Sequence, residues 1–201
     1  MLNRNLIFAI LVLLIGSAAL AMQEGGGGMP EGHPQIQPDL PQGHPQIDPQ
    51  RRNLPEGATP ANPADVASVD AIVSAYYDTI SGGKGETRDW DRFLSLFSPD
   101  ARFITVRAMD GQIIPFTLKP QQFVQANASY FESGGYFEKD VNRVVERYGS
   151  VAHVFSTYET RRSPDETPYS RGINSMQVLK AGGRWWIVTI MWDYERSDNP
   201  I

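Results

Sequence analysis

The 201-residue chain predicts an α+β fold in which three N-terminal helices pack on a curved antiparallel sheet formed by the later half of the domain. Three observations lead there. Apolar residues recur at helical spacing from Val66 to Tyr130, long strand-like segments take over after Phe137, and the last segment is apolar on both alternating faces.

That last segment carries the most information. Lys180-Ala181-Gly182-Gly183 reads as a tight turn between two long strands, 169–180 and 184–195. In the second, Trp186, Val188, Ile190 and Trp192 fall on one face, and Trp185, Ile187 and Met191 on the other. A half-exposed strand alternates with polar residues, so this one is expected to be covered on both sides. The sheet should bend around a filled hollow and carry a second contact on its back. In a one-domain chain that contact is expected to be another copy, giving a homodimer through the outer face of the sheet.

The remaining elements follow from local signals. Asn62, Pro63 and Asp65 have the types of an N-cap, N1 and N3, and Val66, Val69, Val73, Tyr76 and Ile80 continue as one helical stripe until Ser81-Gly82-Gly83. Thr87 is placed to cap a second helix bearing Trp90, Phe93, Leu94 and Phe97. Ser98-Pro99-Asp100 then turns the chain into a strand at 101–106. A third helix is expected over 120–131 with Phe123, Val124 and Tyr130 inward, followed by strands at 137–148 and 151–161 before the two already described.

Ahead of this domain, taken as 65–201, stand two segments of different composition. Residues 1–21 combine Arg4, an uncharged run from Leu6 to Leu20 and a small-x-small end at Ala19-Leu20-Ala21. This is the pattern of a secretory signal peptide, and at about 15 apolar residues the run falls short of a membrane span. The chain is therefore expected to be secreted or periplasmic, touching a membrane only before cleavage. Residues 22–64 are rich in Gly, Pro and Gln with few large apolar side chains, the composition of a disordered tether. Gly-His-Pro-Gln-Ile occurs twice within it, but extended polyproline II would hold His33 and His44 roughly 34 Å apart, too far to share a metal. There is no cysteine, and 18 basic against 23 acidic residues give a formal charge of −5 without a basic run; nucleic acid is not an expected partner.

The order helix, helix, strand, helix and long meander resembles the nuclear transport factor 2-like superfamily, including its SnoaL-like branch. The local texts Leu96-Phe97-Ser98-Pro99-Asp100-Ala101-Arg102-Phe103, Ser150-Val151-Ala152-His153-Val154 and Gly183-Arg184-Trp185-Trp186-Ile187-Val188 carry the likeness, which covers about residues 65–195. The resemblance implies a cone of helices over the sheet with a pocket between, a scaffold shared by isomerases, cyclases, dehydratases, binding modules and assembly domains. Carried over from ketosteroid isomerase, the donor tyrosine falls at Tyr76, the base at Thr105 and the protonated aspartate near Gly172. Two of the three positions lack the group that chemistry needs, so the resemblance does not extend to that reaction.

For the pocket itself, Tyr76, Tyr77, Trp90, Phe103, Phe123, Tyr130, Trp186, Trp192 and Tyr194 are candidates to line a hollow for a small apolar or aromatic molecule, with Asn174 as a polar contact. The same rings serve equally well as core. Asp193 and Glu195 share one face of the last strand near Arg171, and His153 is the domain's one imidazole, without a partner evident in the sequence. No nucleophile elbow, phosphate loop or metal-ligand spacing occurs. The expectation is a ligand-binding domain with no identified catalytic residues, no metal and no cofactor; a SnoaL-like enzyme and a structural dimerisation module are the alternatives.

Overall fold

A computed structural model of the protein describes residues 58–109 and 112–201. The expected signal segment, both Gly-His-Pro-Gln-Ile copies and most of the 22–64 tether lie outside the described residues.

The first described element is a 3-10 turn, Pro63–Val66, over which Asn62 Oδ1 accepts from the Ala64 amide at 3.1 Å. The single stripe expected from Val66 to Ile80 is broken here. Ser68 caps anew, its Oγ accepting from the Ala71 amide at 3.0 Å, and α1 runs Val69–Ile80. The second helix, α2 (Trp90–Ser95), is capped by Asp89 rather than Thr87, through Oδ1 and the Arg92 amide at 2.9 Å. Arg92 then ties these pieces together: it grips Asp65 with Nε at 2.8 Å and Nη2 at 3.1 Å, and meets Asp78 with Nη1 at 2.5 Å.

Phe97, expected on the helix, already belongs to β1 (Phe97–Met109), and the anticipated Ser98-Pro99-Asp100 turn is an irregularity within that strand. Next comes β2 (Gln112–Leu118), a strand the sequence reading did not foresee. Pro115 lies in its middle, which is tolerated because β2 is the edge of the sheet, bonded to β1 alone. The third helix, α3 (Pro120–Gly134), runs to Gly134 and buries Phe123, Asn127 and Phe131; Val124 and Tyr130 sit half-buried beside that row. Four long strands follow: β3 (Phe137–Tyr148), β4 (Val151–Arg161), β5 (Ser170–Ala181) and β6 (Arg184–Tyr194).

These strands form one curved six-stranded sheet in the order β2-β1-β6-β5-β4-β3. Every neighbour pair is antiparallel except β1–β6, so the sheet is mixed rather than wholly antiparallel. The parallel pair arises because β1 and β6 are joined through the whole intervening chain, with no hairpin between them. At the other end of β6, Gly182 and Gly183 adopt φ of 59° and 81°, the left-handed conformation that the tight turn requires.

A bulge at Val188 alters the expected faces of β6. Ile187 pairs with Val178 but Thr189 pairs with Gln177, so one residue is extra and the alternation changes phase. Trp185 and Ile187 consequently join Ile190 and Trp192 against the core, whereas Trp186 is left out of it, its Nε1 bonded to the Ala181 carbonyl at 3.1 Å and the Arg184 guanidinium over its ring. Nor is the strand covered on both sides throughout: Met191 is 43% exposed.

The core beneath the helices is largely aromatic. Phe93 of α2 lies 4.9 Å from Phe97, 5.8 Å from Phe123 and 6.1 Å from Tyr76 between ring centroids, and Phe103 stacks on Phe123 at 4.7 Å. One glycine is needed for close approach. A methyl at Gly172 would overlap the Asp193 carbonyl and the Tyr158 phenol. Gly172→Ala is therefore expected to destabilise the domain by about 2 kcal/mol or more, read as a lower urea midpoint; an unchanged midpoint would show that the phenol can move aside.

Candidate functional site

The chemistry of the interior gathers on Glu138, a residue absent from the sequence-derived candidates. It stands on the helix-facing side of edge strand β3, opposite Thr160 of β4, and is 7% exposed. Its main chain is clamped to the end of α1: the Ser81 hydroxyl accepts from the Glu138 amide at 3.0 Å and donates to its carbonyl at 3.1 Å. The side chain collects three donors. The Tyr136 and Thr160 hydroxyls reach Oε2, the latter at 3.3 Å, and Asn174 Nδ2 reaches Oε1 at 3.3 Å.

Cross-strand register brings these partners together. Ser156 of β4, Asn174 of β5, Trp192 of β6 and Thr105 of β1 occupy one row; Asp140, Tyr158, Gly172 and Tyr194 occupy the next. From α1 above, Tyr77 accepts from Asn174 Nδ2 at 3.1 Å and bonds the Ser156 hydroxyl at 2.7 Å. A continuous path of hydrogen bonds therefore links Ser156, Tyr77, Asn174, Glu138, Tyr136 and Thr160.

Burial dominates the electrostatics. Desolvation pushes the Glu138 carboxyl up to about 7, while the bonds from Tyr136, Asn174 and Thr160 pull the other way. The Tyr76, Tyr77, Tyr136 and Tyr158 phenols are raised above their ordinary value, first by burial and then by the nearby Glu138. They remain neutral hydroxyls at any physiological pH. Such a site can hold or exchange a proton near neutrality at one carboxyl, surrounded by neutral donors.

The sequence-derived candidates divide into three groups. Tyr77, Asn174 and Tyr76 meet Glu138 or its partners, and Trp192 and Tyr194 lie in the adjoining rows, joined by a bond from Trp192 Nε1 to the Tyr194 hydroxyl at 3.1 Å. Trp90, Phe103, Phe123 and Tyr130 pack among the aromatic rings, Trp90 against Phe93 and Phe131. Trp186 is apart from both. Thr105, the position of the base in the isomerase comparison, bonds the Tyr194 hydroxyl, and Gly172 makes room for Tyr158.

The polar groups singled out elsewhere are ion-paired or open to solvent. Asp193 takes Arg196 at 2.5 and 3.1 Å, and these bonds hold its carboxyl below the usual carboxylate range. Arg171 reaches Glu195 at 3.3 Å. His153 does have partners: Nε2 lies 3.0 Å from the Ser175 hydroxyl, and Nδ1 lies 3.9 Å from the largely exposed Glu146. This acid–imidazole–hydroxyl line sits on the open face of the sheet, where main-chain amides are committed to the ladders and none converges as an oxyanion hole. Beside it is a shallow open depression of about 300 Å³ at the β3–β4 turn, lined by Glu146, Tyr148, Val151 and His153 among others, away from Glu138. Among the described residues no three His, Cys, Asp or Glu side chains are grouped to hold a metal ion.

Helices on one face of a curved mixed sheet, with a polar cluster under them, make an α+β domain. Solved structures to which the chain is similar are described as nuclear transport factor 2-like or as having a cystatin-like fold. A nuclear transport factor 2-like protein of unknown function from Pseudomonas putida KT2440 is 12% identical, with 65% of this chain and 88% of that chain covered and a TM-score of 0.49. Cystatin-like-fold proteins, one of unknown function from Nostoc punctiforme PCC 73102 and one uncharacterized from Caulobacter vibrioides, are 14% and 16% identical. They cover 64% and 65% of this chain against 90% and 89% of theirs, each with a TM-score of 0.49. No family model and no curated protein matches the chain.

Proposed function

We propose that this chain is an exported small-molecule-binding domain in which the helices and the curved sheet form a cone, with the Glu138 cluster as its polar anchor. The observation that carries the reading is the buried Glu138 carboxyl, met by neutral donors beside the aromatic and aliphatic core. Burying such a group costs several kcal/mol unless a partner offsets it, an outlay a domain held together by packing alone has no need to make. Tyr76, Tyr77, Asn174, Trp192 and Tyr194 supply the ligand's nearest surroundings, with Trp90, Phe103, Phe123 and Tyr130 as the aromatic wall behind them. Export follows from the composition of residues 1–21, and 22–64 serve as the tether.

The test is a thermal-shift screen of small molecules on the full-length chain, paired with mass spectrometry of whatever co-purifies. Compounds that raise the melting temperature of the protein but not of Glu138→Gln support the reading. A screen without hits, on protein that carries nothing, contradicts it and leaves a structural module.

One observation favours the second reading, a SnoaL-like cyclase, isomerase or dehydratase: a carboxyl poised at about 7 beside tyrosine hydroxyls is suited to general acid–base work. Turnover abolished by Glu138→Gln with binding retained would select it.

The outer face of the sheet suits a second copy. Val144, Phe155, Ser175, Met191 and Ile104 form one row across five strands, and Val144, Phe155 and Met191 are 54%, 47% and 43% exposed. A homodimer is expected in light scattering, reduced to monomer by Phe155→Lys; a monomeric protein at high micromolar concentration would contradict it.

A further inference from the structure

Three donors reach Glu138, and none is a cation. An ionised carboxylate offers about four acceptor directions, of which Tyr136, Thr160 and Asn174 occupy three. None of the ion pairs among the described residues includes Glu138. The two guanidinium groups on its own strand are engaged elsewhere, Arg143 binding Asp140 at 2.5 Å and Asp70 at 2.9 Å, and Arg147 lying over the Trp185 ring at 5.0 Å and donating to the Gly149 carbonyl at 3.1 Å. The other nearby arginine, Arg162, lies between the Tyr130 and Tyr169 rings at 5.0 and 4.7 Å and donates to the Tyr130 hydroxyl at 2.8 Å. Among the described residues, Glu138 is thus a buried acceptor with a direction to spare and without an ion-pair partner, the buried Arg88 and Arg184 donating to main-chain carbonyls instead.

Around that acceptor stand aromatic rings, whose faces are electron-rich and favour a positive charge. Tyr77 from α1 is joined to Glu138 through Asn174, and Tyr158 stands two residues along β4 from Thr160, whose hydroxyl bonds the carboxyl. A carboxylate and aromatic faces together complement an organic ammonium group: the carboxylate supplies the counter-charge and a charge-assisted hydrogen bond, and the rings accept the alkyl part. An alcohol or a ketone of the same size would leave the carboxylate charge uncompensated, and an organic anion would be repelled by it.

We infer that the ligand of this interior is a primary or secondary amine with an apolar or aromatic body, its ammonium group ion-paired with the Glu138 carboxylate between the α1 and β4 tyrosines. The inference rests on the small-molecule-binding reading above and adds the chemical class to it. Glu138 provides the charge, Asn174 and Thr160 fix the carboxylate plane, and the aromatic core accepts the remainder of the molecule.

Calorimetric titration of the full-length chain with 2-phenylethylamine, 2-phenylethanol and phenylacetate tests this, because the three share a ring and differ in the polar end. The amine is expected to bind at least about ten-fold more tightly than the alcohol, with the acid weaker than both. In Glu138→Gln that preference should disappear. If the variant does not fold, the amine-to-alcohol ratio of the unmodified protein decides alone. Alcohol binding equal to amine binding overturns the amine class and leaves the small-molecule reading standing. Silence from all three up to about 10 mM overturns the amine class, while the small-molecule reading stands or falls by the ligand screen.

Discussion

Replacing Arg88 by alanine is expected to cost about 3–5 kcal/mol of folding stability, the largest single loss anticipated in this domain. The residue is 5% exposed, and all of its guanidinium nitrogens donate to main-chain carbonyls. Nε reaches Ile80 at 3.2 Å; Nη1 reaches Gly83 at 3.2 Å and also Glu86; Nη2 reaches Gly82 at 2.6 Å and Phe131 at 3.2 Å. One side chain therefore closes the end of α1, the loop into α2 and the last turns of α3. Truncation takes a donor from five carbonyls, of which Gly82 and Gly83 keep the amides of Tyr136 and Glu86. The urea midpoint should fall by about 2 M at an unchanged slope of about 2 kcal/mol/M. Arg88→Lys should recover part of the loss, since an ammonium has three donors and no planar fork. A drop of less than about 1 kcal/mol for the alanine variant would mean that the carbonyls are easily rehydrated.

Stability should also depend on pH through Glu138, in the direction opposite to that of an ordinary paired carboxylate. Its pKa is raised on folding from 4.5 to about 7, so the native state binds the proton more tightly than the unfolded chain does. The stabilisation is complete below pH 4.5 and is lost as pH rises through about 7. Over that interval the loss amounts to about 3 kcal/mol, at 1.36 kcal/mol per unit. Glu138→Gln keeps the shape and removes the titration. Its stability relative to the unmodified protein should therefore rise from pH 4.5 to 8 and then level. Parallel pH profiles for the two proteins would show that Glu138 is solvated in the native state.

The scaffold was more legible in the residues than the site was. The β3, β4 and β5 strands, α1 beyond its broken start and the glycine turn before β6 follow from periodicity and turn chemistry, which act locally. What escaped depends on partners distant in sequence. Pro115 argues against a strand until β2 is known to be an edge, where no inward amide is needed. The bulge at Val188 reverses the phase of Trp185 and Trp186, and only the register against β5 reveals it.

Glu138 was missed for a related reason. In Tyr136-Phe137-Glu138-Lys139-Asp140 the charged residues suggest a solvent-facing strand, yet Glu138 shares its face with the buried Thr160, and Phe137 faces the other way. Tyr77 and Asn174, by contrast, were singled out from their residue types. What the sequence withheld was the carboxyl that joins them, because the hydrogen-bonded path crosses α1, β3, β4 and β5 and leaves no spacing within any one of them.

Glu138 is a sequestered carboxyl rather than a surface one. Carbon-13 NMR of the glutamate side-chain carboxyls through a pH titration measures this directly, with the Glu138 signal assigned by its loss in Glu138→Gln. A midpoint near about 7 is the predicted result. A midpoint in the ordinary glutamate range, about 4.3, would contradict the buried anchor and the ligand chemistry built on it.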